Sequence, residues 1–147
     1  MSRTDHVLVV EDNDGDYETV TEAVGRAGMV NQLRRAVSGT ECMAMLLDSL
    51  EHGTTLPALV LLDLSTPSAD GRDALAQISQ NSTLRRIPLV VLSASANPRD
   101  IAAAYSNGAN AYHIKPVNHG THLEILQTIL SYWITHAILP THRALTK

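Results

Sequence analysis

The chain has 147 residues and a formal net charge of −4, and 44% of its residues are hydrophobic while 18% are charged. These values are typical of a globular domain with a real core and exclude a disordered chain. The acidic balance disfavours nucleic-acid binding, which needs clustered Lys and Arg. The single Cys42 excludes an internal disulfide, and no apolar stretch approaches the roughly 18 residues of a membrane span. We therefore expect a cytoplasmic protein without a membrane or nucleic-acid partner.

Five short runs of apolar residues predict strands. Residues 7–10 and 59–62 are continuous apolar runs followed by polar or turn residues. Such runs are typical of strands that are buried on both faces of a parallel sheet. The predicted strands cover residues 6–10, 32–37, 56–62, 87–92 and 109–114.

Helical spacing of apolar residues predicts a helix after each strand. The first helix begins with a cap at Asp14 or Asp16 and ends near Gly28. The other four cover residues 40–50, 71–80, 98–106 and 118–135. Strands that alternate with helices predict right-handed crossovers and a parallel sheet, so we expect one domain over residues 1–147 with its core at about 6–135. The apolar face predicted for the second helix consists of Met43, Leu46, Leu47 and Leu50.

Polar residues stand where four of the predicted strands end. The first strand ends at Glu11 and Asp12, the third at Asp63, the fourth at Ser93 and the fifth at Lys115. The carboxyl ends of parallel strands share one edge, where open α/β sheets bind their ligands. Taken alone, Asp63 would cap the next turn and Lys115 would be a solvated surface residue. Their joint placement indicates a site.

A group of carboxylates at this edge favours a cation, because like charges held together repel one another. Oxygen ligands without His or Cys nearby point to Mg²⁺. Asp12, Asp63 and the backbone carbonyl of Ser65 are the candidate direct ligands, and Glu11 would act mainly through water.

The remaining side chains at this edge fit phosphoryl transfer. Lys115 offers a point charge to a phosphoryl oxygen or to Asp63, and the Ser93 hydroxyl can donate to a second oxygen. Asp63 is then the candidate nucleophile that forms an aspartyl phosphate.

Five motifs in this order resemble a bacterial response-regulator receiver domain. The resemblance runs from about residue 6 to residue 135, and no essential family residue is missing. The motifs are VVEDN (residues 9–13), LVLLDLSTP (59–67), Asp-Gly (70–71), VLSAS (91–95) and YHIKP (112–116).

The resemblance implies the flavodoxin-like, doubly wound sheet of order 2-1-3-4-5. It implies that Asp63 is the phosphoacceptor, that Glu11 and Asp12 bind the metal, and that Lys115 binds the phosphate. Ser93 and Tyr112 match the switch hydroxyl and the switch aromatic residue of the family, although threonine is more common at the hydroxyl position. The family also implies a cis peptide bond between Lys115 and Pro116.

Two positions depart from the family pattern, and none of the histidines is assigned a role in the site. Ser68 and Ala69 replace the more usual residues before the Asp-Gly turn. His119 and His122 have a spacing that suits a metal, but we find no third ligand and expect both to be solvated. His6, His113 and His136 are expected to be structural.

The predicted last helix carries more apolar residues than one buried face needs. Leu123, Leu126, Leu130 and Trp133 form one stripe, and Ile125, Ile129, Tyr132 and Ile134 widen it. Together with the tail at 136–147, this surplus predicts a homodimer, and the alternative is a tail that folds back on its own domain. The long last helix with a Trp and an ILP tail is also similar to the single-domain response regulators that partner bacterial phytochromes.

By this resemblance, the chain is a stand-alone response regulator of a two-component phosphorelay. It would accept a phosphoryl group from a sensor histidine kinase such as a bacterial phytochrome, as a signalling phosphoacceptor and not as an enzyme. Two alternatives remain: a phosphate-independent scaffold, and a phosphohydrolase with an aspartyl intermediate. The second ranks last, because such enzymes usually carry an aspartate at the position of Ser65.

Overall fold

The computed structural model describes residues 6–29, 33–65 and 70–139, which form one five-stranded parallel sheet. The strand order is β2-β1-β3-β4-β5, which confirms the predicted receiver fold. The strands are β1 (Val7–Val10), β2 (Leu33–Ala36), β3 (Leu59–Asp63), β4 (Leu89–Ser93) and β5 (Ala111–Ile114). The helices are α1 (Asp14–Arg26), α2 (Gly39–His52), α3 (Asp70–Gln80), α4 (Pro98–Ser106) and α5 (His119–Leu130).

Helices cover both faces of the sheet. The three central strands are fully buried, and they are aliphatic except for Asp63 and Ser93 at the ends of β3 and β4, because a strand between two helical layers contacts apolar side chains on either side. Side chains of β1, β3 and β4 alternate between two cores. One core is shared with α2, α3 and α4, and the other is shared with α1 and α5.

Several element boundaries differ from the prediction. The cap of α1 is Asn13, whose side chain accepts a hydrogen bond from the backbone N–H of Asp16 at 2.9 Å, so the cap expected at Asp14 or Asp16 was wrong. Any of these short polar side chains can cap a helix, and the backbone path decides which one does. A 3₁₀ turn at Leu84–Arg86 was not predicted. Leu47 is half exposed, whereas Cys42 is fully buried on the face that α2 turns inward.

The last helix continues past α5 as a π-helix at Ser131–His136. Because π-helical hydrogen bonds span five residues, this turn rotates the side chains relative to an α-helix. Leu130 and Ile134 are buried, while Trp133 is only half buried. Ile129 is buried in the same core. The second apolar face predicted for this helix is thus smaller than expected, because Ile129 and Ile134 belong to the core of this chain.

A further expectation concerns the peptide bond before Pro116. The described residues contain no cis peptide bond, so the cis bond expected before Pro116 was wrong, and the bond adopts the trans form that X-Pro pairs intrinsically prefer. Residues Ser68 and Ala69 and the tail from 140 onward lie outside the described residues, so the domain limits stay a prediction. None of the described helices has both the length and the apolar character that a membrane crossing requires.

We expect Gly39→Ala to destabilise the fold by about 1–3 kcal/mol, as overpacking does. Gly39 begins α2, and a Cβ there would lie 2.3 Å from the backbone carbonyl oxygen of Asp70 at the start of α3. Urea denaturation measures the free energy of unfolding. The control is Gly25→Ala on α1, where a Cβ meets nothing within 4 Å; it should stabilise the fold by about 0.5–1 kcal/mol. Equal effects of the two substitutions would contradict the packing argument.

Candidate functional site

The sheet brings the predicted site residues to one edge. Asp63 and Ser93 are the last residues of β3 and β4, and Glu11 and Lys115 directly follow β1 and β5. Backbone hydrogen bonds continue the ladder past the strands, since the N–H of Lys115 donates to the carbonyl of Ser93 at 2.7 Å. The parallel register thus places these side chains in one crevice.

Lys115 is the centre of the crevice. Its ammonium group makes an ion pair with Asp63, lies 2.6 Å from Asp16 Oδ2 and lies 3.6 Å from Glu11 Oε1. Its side chain is only 13% exposed. Burial alone would lower the pKa of Lys115, but the hydrogen bonds to Asp16 and Asp63 outweigh burial and raise it. The lysine is therefore a fixed positive charge among three carboxyl groups.

Asp63 is buried and held at both carboxylate oxygens. Oδ2 pairs with Lys115, and Oδ1 accepts a hydrogen bond from the backbone N–H of Ser65 at 2.7 Å. Burial acts to raise the pKa of Asp63, but hydrogen bonds with Glu11, Lys115 and the Ser65 backbone outweigh it, so the pKa lies below its ordinary value. Asp63 is thus ionised at neutral pH.

Glu11 has the opposite titration behaviour. Burial and the neighbouring Asp63 raise the pKa of Glu11 to about 8, so at neutral pH it is mostly protonated when no metal is bound. Arg35 of β2 fixes the backbone here, because its Nε donates to the Glu11 carbonyl at 2.9 Å and its Nη1 pairs with Asp14 at 2.8 Å. The two carboxyl groups of Glu11 and Asp63 share one site and divide the charge unequally.

The acidic group in the structure differs in membership from the predicted one. Glu11, Asp16 and Asp63 each offer a carboxylate oxygen within 4.8 Å of the others. Asp12 is exposed on the loop after β1 and is not part of this group, so its role as a metal ligand stays a prediction, as does that of the Ser65 carbonyl. The donor set fits Mg²⁺, because hard cations prefer carboxylate oxygens.

Ser93 and Tyr112 are connected through Ser95. The backbone N–H of Ser95 donates to Ser93 Oγ at 3.1 Å, and the Tyr112 hydroxyl donates to the Ser95 carbonyl at 2.8 Å. The Ser95 hydroxyl in turn donates to Asp100 of α4 at 2.6 Å. The loop between β4 and α4 therefore joins the two predicted switch residues to α4.

A second tyrosine holds the outer strand. The Tyr105 hydroxyl, on α4, accepts a hydrogen bond from the backbone N–H of Tyr112 at 3.1 Å. Ser65 Oγ also accepts a bond from the backbone N–H of Ala94 at 3.1 Å, which ties the loop after β3 to the loop after β4. The loops around the crevice are thus fastened to each other by hydroxyl groups.

Sequence reasoning missed three residues at or near this site. Asp16 was considered only as a cap, although it lies one turn into α1 above the crevice. His122 was expected to be solvated, and this was wrong: it is buried, its Nδ1 has no hydrogen-bond partner among the described residues, and burial lowers its pKa. Ser95 stood inside a motif without an assigned role. His119, by contrast, is mostly exposed, as expected, and lies 3.6 Å from Glu22.

The chain belongs to the response regulator receiver domain family, whose pattern matches residues 7–127. Among curated proteins it is 37% identical to response regulator Rcp1 of Synechocystis over 91% of this chain and 92% of that protein. It is also 35% identical to the probable methanogenesis regulatory protein FilR2 of Methanothrix harundinacea, over 87% of this chain and 83% of that protein.

Solved structures give the same result. The phosphorylated cyanobacterial phytochrome response regulator RcpA matches with a TM-score of 0.86 at 35% identity, covering 94% of this chain and 99% of that one. The Mn²⁺-bound form of Rcp1 matches with a TM-score of 0.84 at 35% identity, covering 93% and 99%. The protein is therefore a two-component response regulator receiver domain with relatives among phytochrome response regulators.

We expect the apparent Mg²⁺ affinity to rise with pH and to level off above about pH 8. Glu11 is protonated below its pKa of about 8, and a metal binds better to the carboxylate than to the neutral acid, so binding releases a proton. Calorimetric titration with Mg²⁺ in two buffers of different ionisation enthalpy measures both the affinity and the proton release. Glu11→Gln should remove the proton release. A wild-type affinity that is constant across this pH range would contradict the assignment.

Proposed function

We propose that this receiver domain accepts a phosphoryl group on Asp63 from a phosphohistidine of a sensor kinase. The observation that supports it best is the state of Asp63, which is buried, ionised and held between Lys115 and the Ser65 backbone. In the reaction, an Asp63 carboxylate oxygen forms a bond to phosphorus while the phosphorus–nitrogen bond breaks. The imidazole keeps the electron pair of that bond.

The rest of the crevice would stabilise the transferred charge. The ammonium group of Lys115 already lies against Asp63, so it can bind an oxygen of the phosphoryl group after transfer. Mg²⁺, held by Glu11 and Asp63 with the predicted ligands Asp12 and Ser65, would neutralise further charge when bound. Transfer of a phosphoryl group needs little beyond positioning and electrostatic stabilisation. The protein would thus act as a phosphoacceptor and not as an enzyme on other substrates.

Phosphorylation would be transmitted through Ser93. Its hydroxyl group would turn toward a phosphoryl oxygen, which would break the hydrogen bond from the Ser95 backbone. Because Ser95 also binds Tyr112 and Asp100, a change at Ser93 would alter the position of α4 and β5. Such coupling shifts a two-state equilibrium instead of creating a new state.

The kinase that we propose is a bacterial phytochrome. The support is the similarity to RcpA, which is described as a phytochrome response regulator, over nearly the whole chain. A second support is the long last helix, which carries Trp133 and continues as a π-helix. Its sequence is similar to that of the regulators that partner bacterial phytochromes.

We also propose a homodimer that uses the end of the last helix. Tyr132 and Ile138 expose 53% and 99% of their surface, and the Tyr132 and Trp133 rings contact edge to face at 5.2 Å. Ile125, Trp133 and Leu139 pack partly against the core of this chain, so the apolar patch that we assign to the interface consists of the exposed Tyr132 and Ile138. A second copy would cover this patch.

Asp63→Asn should abolish phosphorylation. Incubation with Mg²⁺ and acetyl phosphate should add one phosphoryl mass, roughly 80 Da, to the wild-type protein and none to the variant, since the amide is not a nucleophile. Intact-mass spectrometry measures the gain. Asp48→Asn, at an exposed acid on α2, is the matched control and should be phosphorylated normally. Labelling that persists in Asp63→Asn would overturn the assignment.

Tyr132→Ser and Ile138→Ser should each weaken dimerisation by about 1–2 kcal/mol, or roughly five- to thirtyfold, because a buried apolar contact is lost. Size-exclusion chromatography with light scattering over a range of concentrations measures the dimer fraction. Val117→Ser, at a fully exposed apolar residue before α5, is the control and should not change it. A wild-type protein that is monomeric at every concentration, with and without acetyl phosphate, would refute the dimer.

A further inference from the structure

We propose that Asp16 is a positioning residue for Lys115 and that it competes with the phosphoryl group for this lysine. Asp16 would thereby set how strongly the crevice holds a phosphoryl group. This inference rests on the proposed function of Asp63.

The first argument is the geometry of the ion pair. Asp16 Oδ2 lies 2.6 Å from Lys115 Nζ, although the two residues are 99 positions apart in the chain. The backbone N–H of Asp16 is bound by the Asn13 cap at 2.9 Å, so the first turn of α1 fixes the backbone from which this carboxylate extends. Asp16 is only 35% exposed and Lys115 only 13%, so solvent screens this pair less than a surface pair. The contact joins α1 to the loop between β5 and α5.

The second argument is the distribution of charge. One ammonium serves Asp63, Asp16 and Glu11. When Asp63 gains a phosphoryl group, the negative charge around Lys115 increases and the new oxygens need the same donor. Asp16 then either gives up the lysine or adds a like charge beside the phosphoryl group. Both outcomes raise the free energy of the phosphorylated form relative to the unphosphorylated one.

A neighbouring aspartate separates this role from a general effect of charge on α1. Asp14 is also in the first turn of α1, so both residues favour the positive end of the helix dipole. Asp14 is exposed and pairs with Nη1 of Arg35, so Asp14→Asn leaves in place the separate hydrogen bond from Arg35 Nε to the Glu11 carbonyl. Asp14→Asn and Asp16→Asn therefore change the net charge equally, but only the second removes a partner of Lys115.

The test measures binding of beryllofluoride, a non-covalent mimic of the phosphoryl group. The affinity is followed by ¹⁹F NMR at saturating Mg²⁺, and the Mg²⁺ affinity of each variant is determined first. We expect Asp16→Asn to bind beryllofluoride about three- to tenfold more tightly than wild type, the order expected when a like charge is removed from a partly buried site. Asp14→Asn should match wild type, and Asp16→Glu, which keeps the carboxylate, should restore most of the wild-type affinity.

The outcomes distinguish the two proposals. If wild type binds no beryllofluoride at any Mg²⁺ concentration, the proposed function of Asp63 fails. If wild type binds it but Asp16→Asn binds equally or more weakly, only the role of Asp16 is overturned. The same holds if Asp14→Asn tightens binding as much as Asp16→Asn. Asp16→Ser repeats the measurement with a smaller neutral side chain, and thermal unfolding confirms that each variant is folded.

Discussion

The ion pairs of Lys115 hold the carboxyl edge of the sheet together. Three acidic side chains from β1, α1 and β3 meet there, and without a cation their repulsion would oppose the closeness that the fold imposes. Lys115, which directly follows β5 at the far edge of the sheet, supplies the positive charge that offsets this repulsion. Removing it would leave the buried Asp63 carboxylate without an ion-pair partner, which costs far more than an exposed ion pair contributes.

The sheet makes this arrangement possible because its interior is uniform. Apart from Asp63 and Ser93 at their last positions, the central strands carry aliphatic residues between two apolar layers, so the polar groups accumulate where the strands stop. Parallel strands stop at the same edge, and a one-residue shift in register would move Asp63 out of line with Ser93 and Lys115. The stability of the core and the precision of the site thus depend on the same register.

The strands and the site residues at their carboxyl ends could be predicted from the sequence. Strands buried on both faces are continuous apolar runs, and the first polar residue after each run marks its end. The strand order came from the resemblance to receiver domains, since local patterns do not determine which strands pair. The contact between Lys115 and Asp63 was predicted from the strand ends, but the contacts of Asp16 and His122, which lie on helices, were missed. Nothing near Asp16 indicates that Lys115 lies beside it, and nothing near His122 indicates burial. The exposure of Leu47 and the burial of Ile134 depend on helix rotation against the sheet, which spacing alone leaves open.

The hydrogen bond from the Tyr112 backbone to the Tyr105 hydroxyl has a consequence for association. β5 is the last strand, and its outward N–H groups would otherwise offer a template for a strand from another molecule. Tyr105 occupies one of these donors with a side chain from α4. A movement of α4 away from β5 would expose this donor to solvent or to a strand from another molecule. Protection of the edge against unwanted pairing is therefore coupled to the same helix that the Ser95 network reaches.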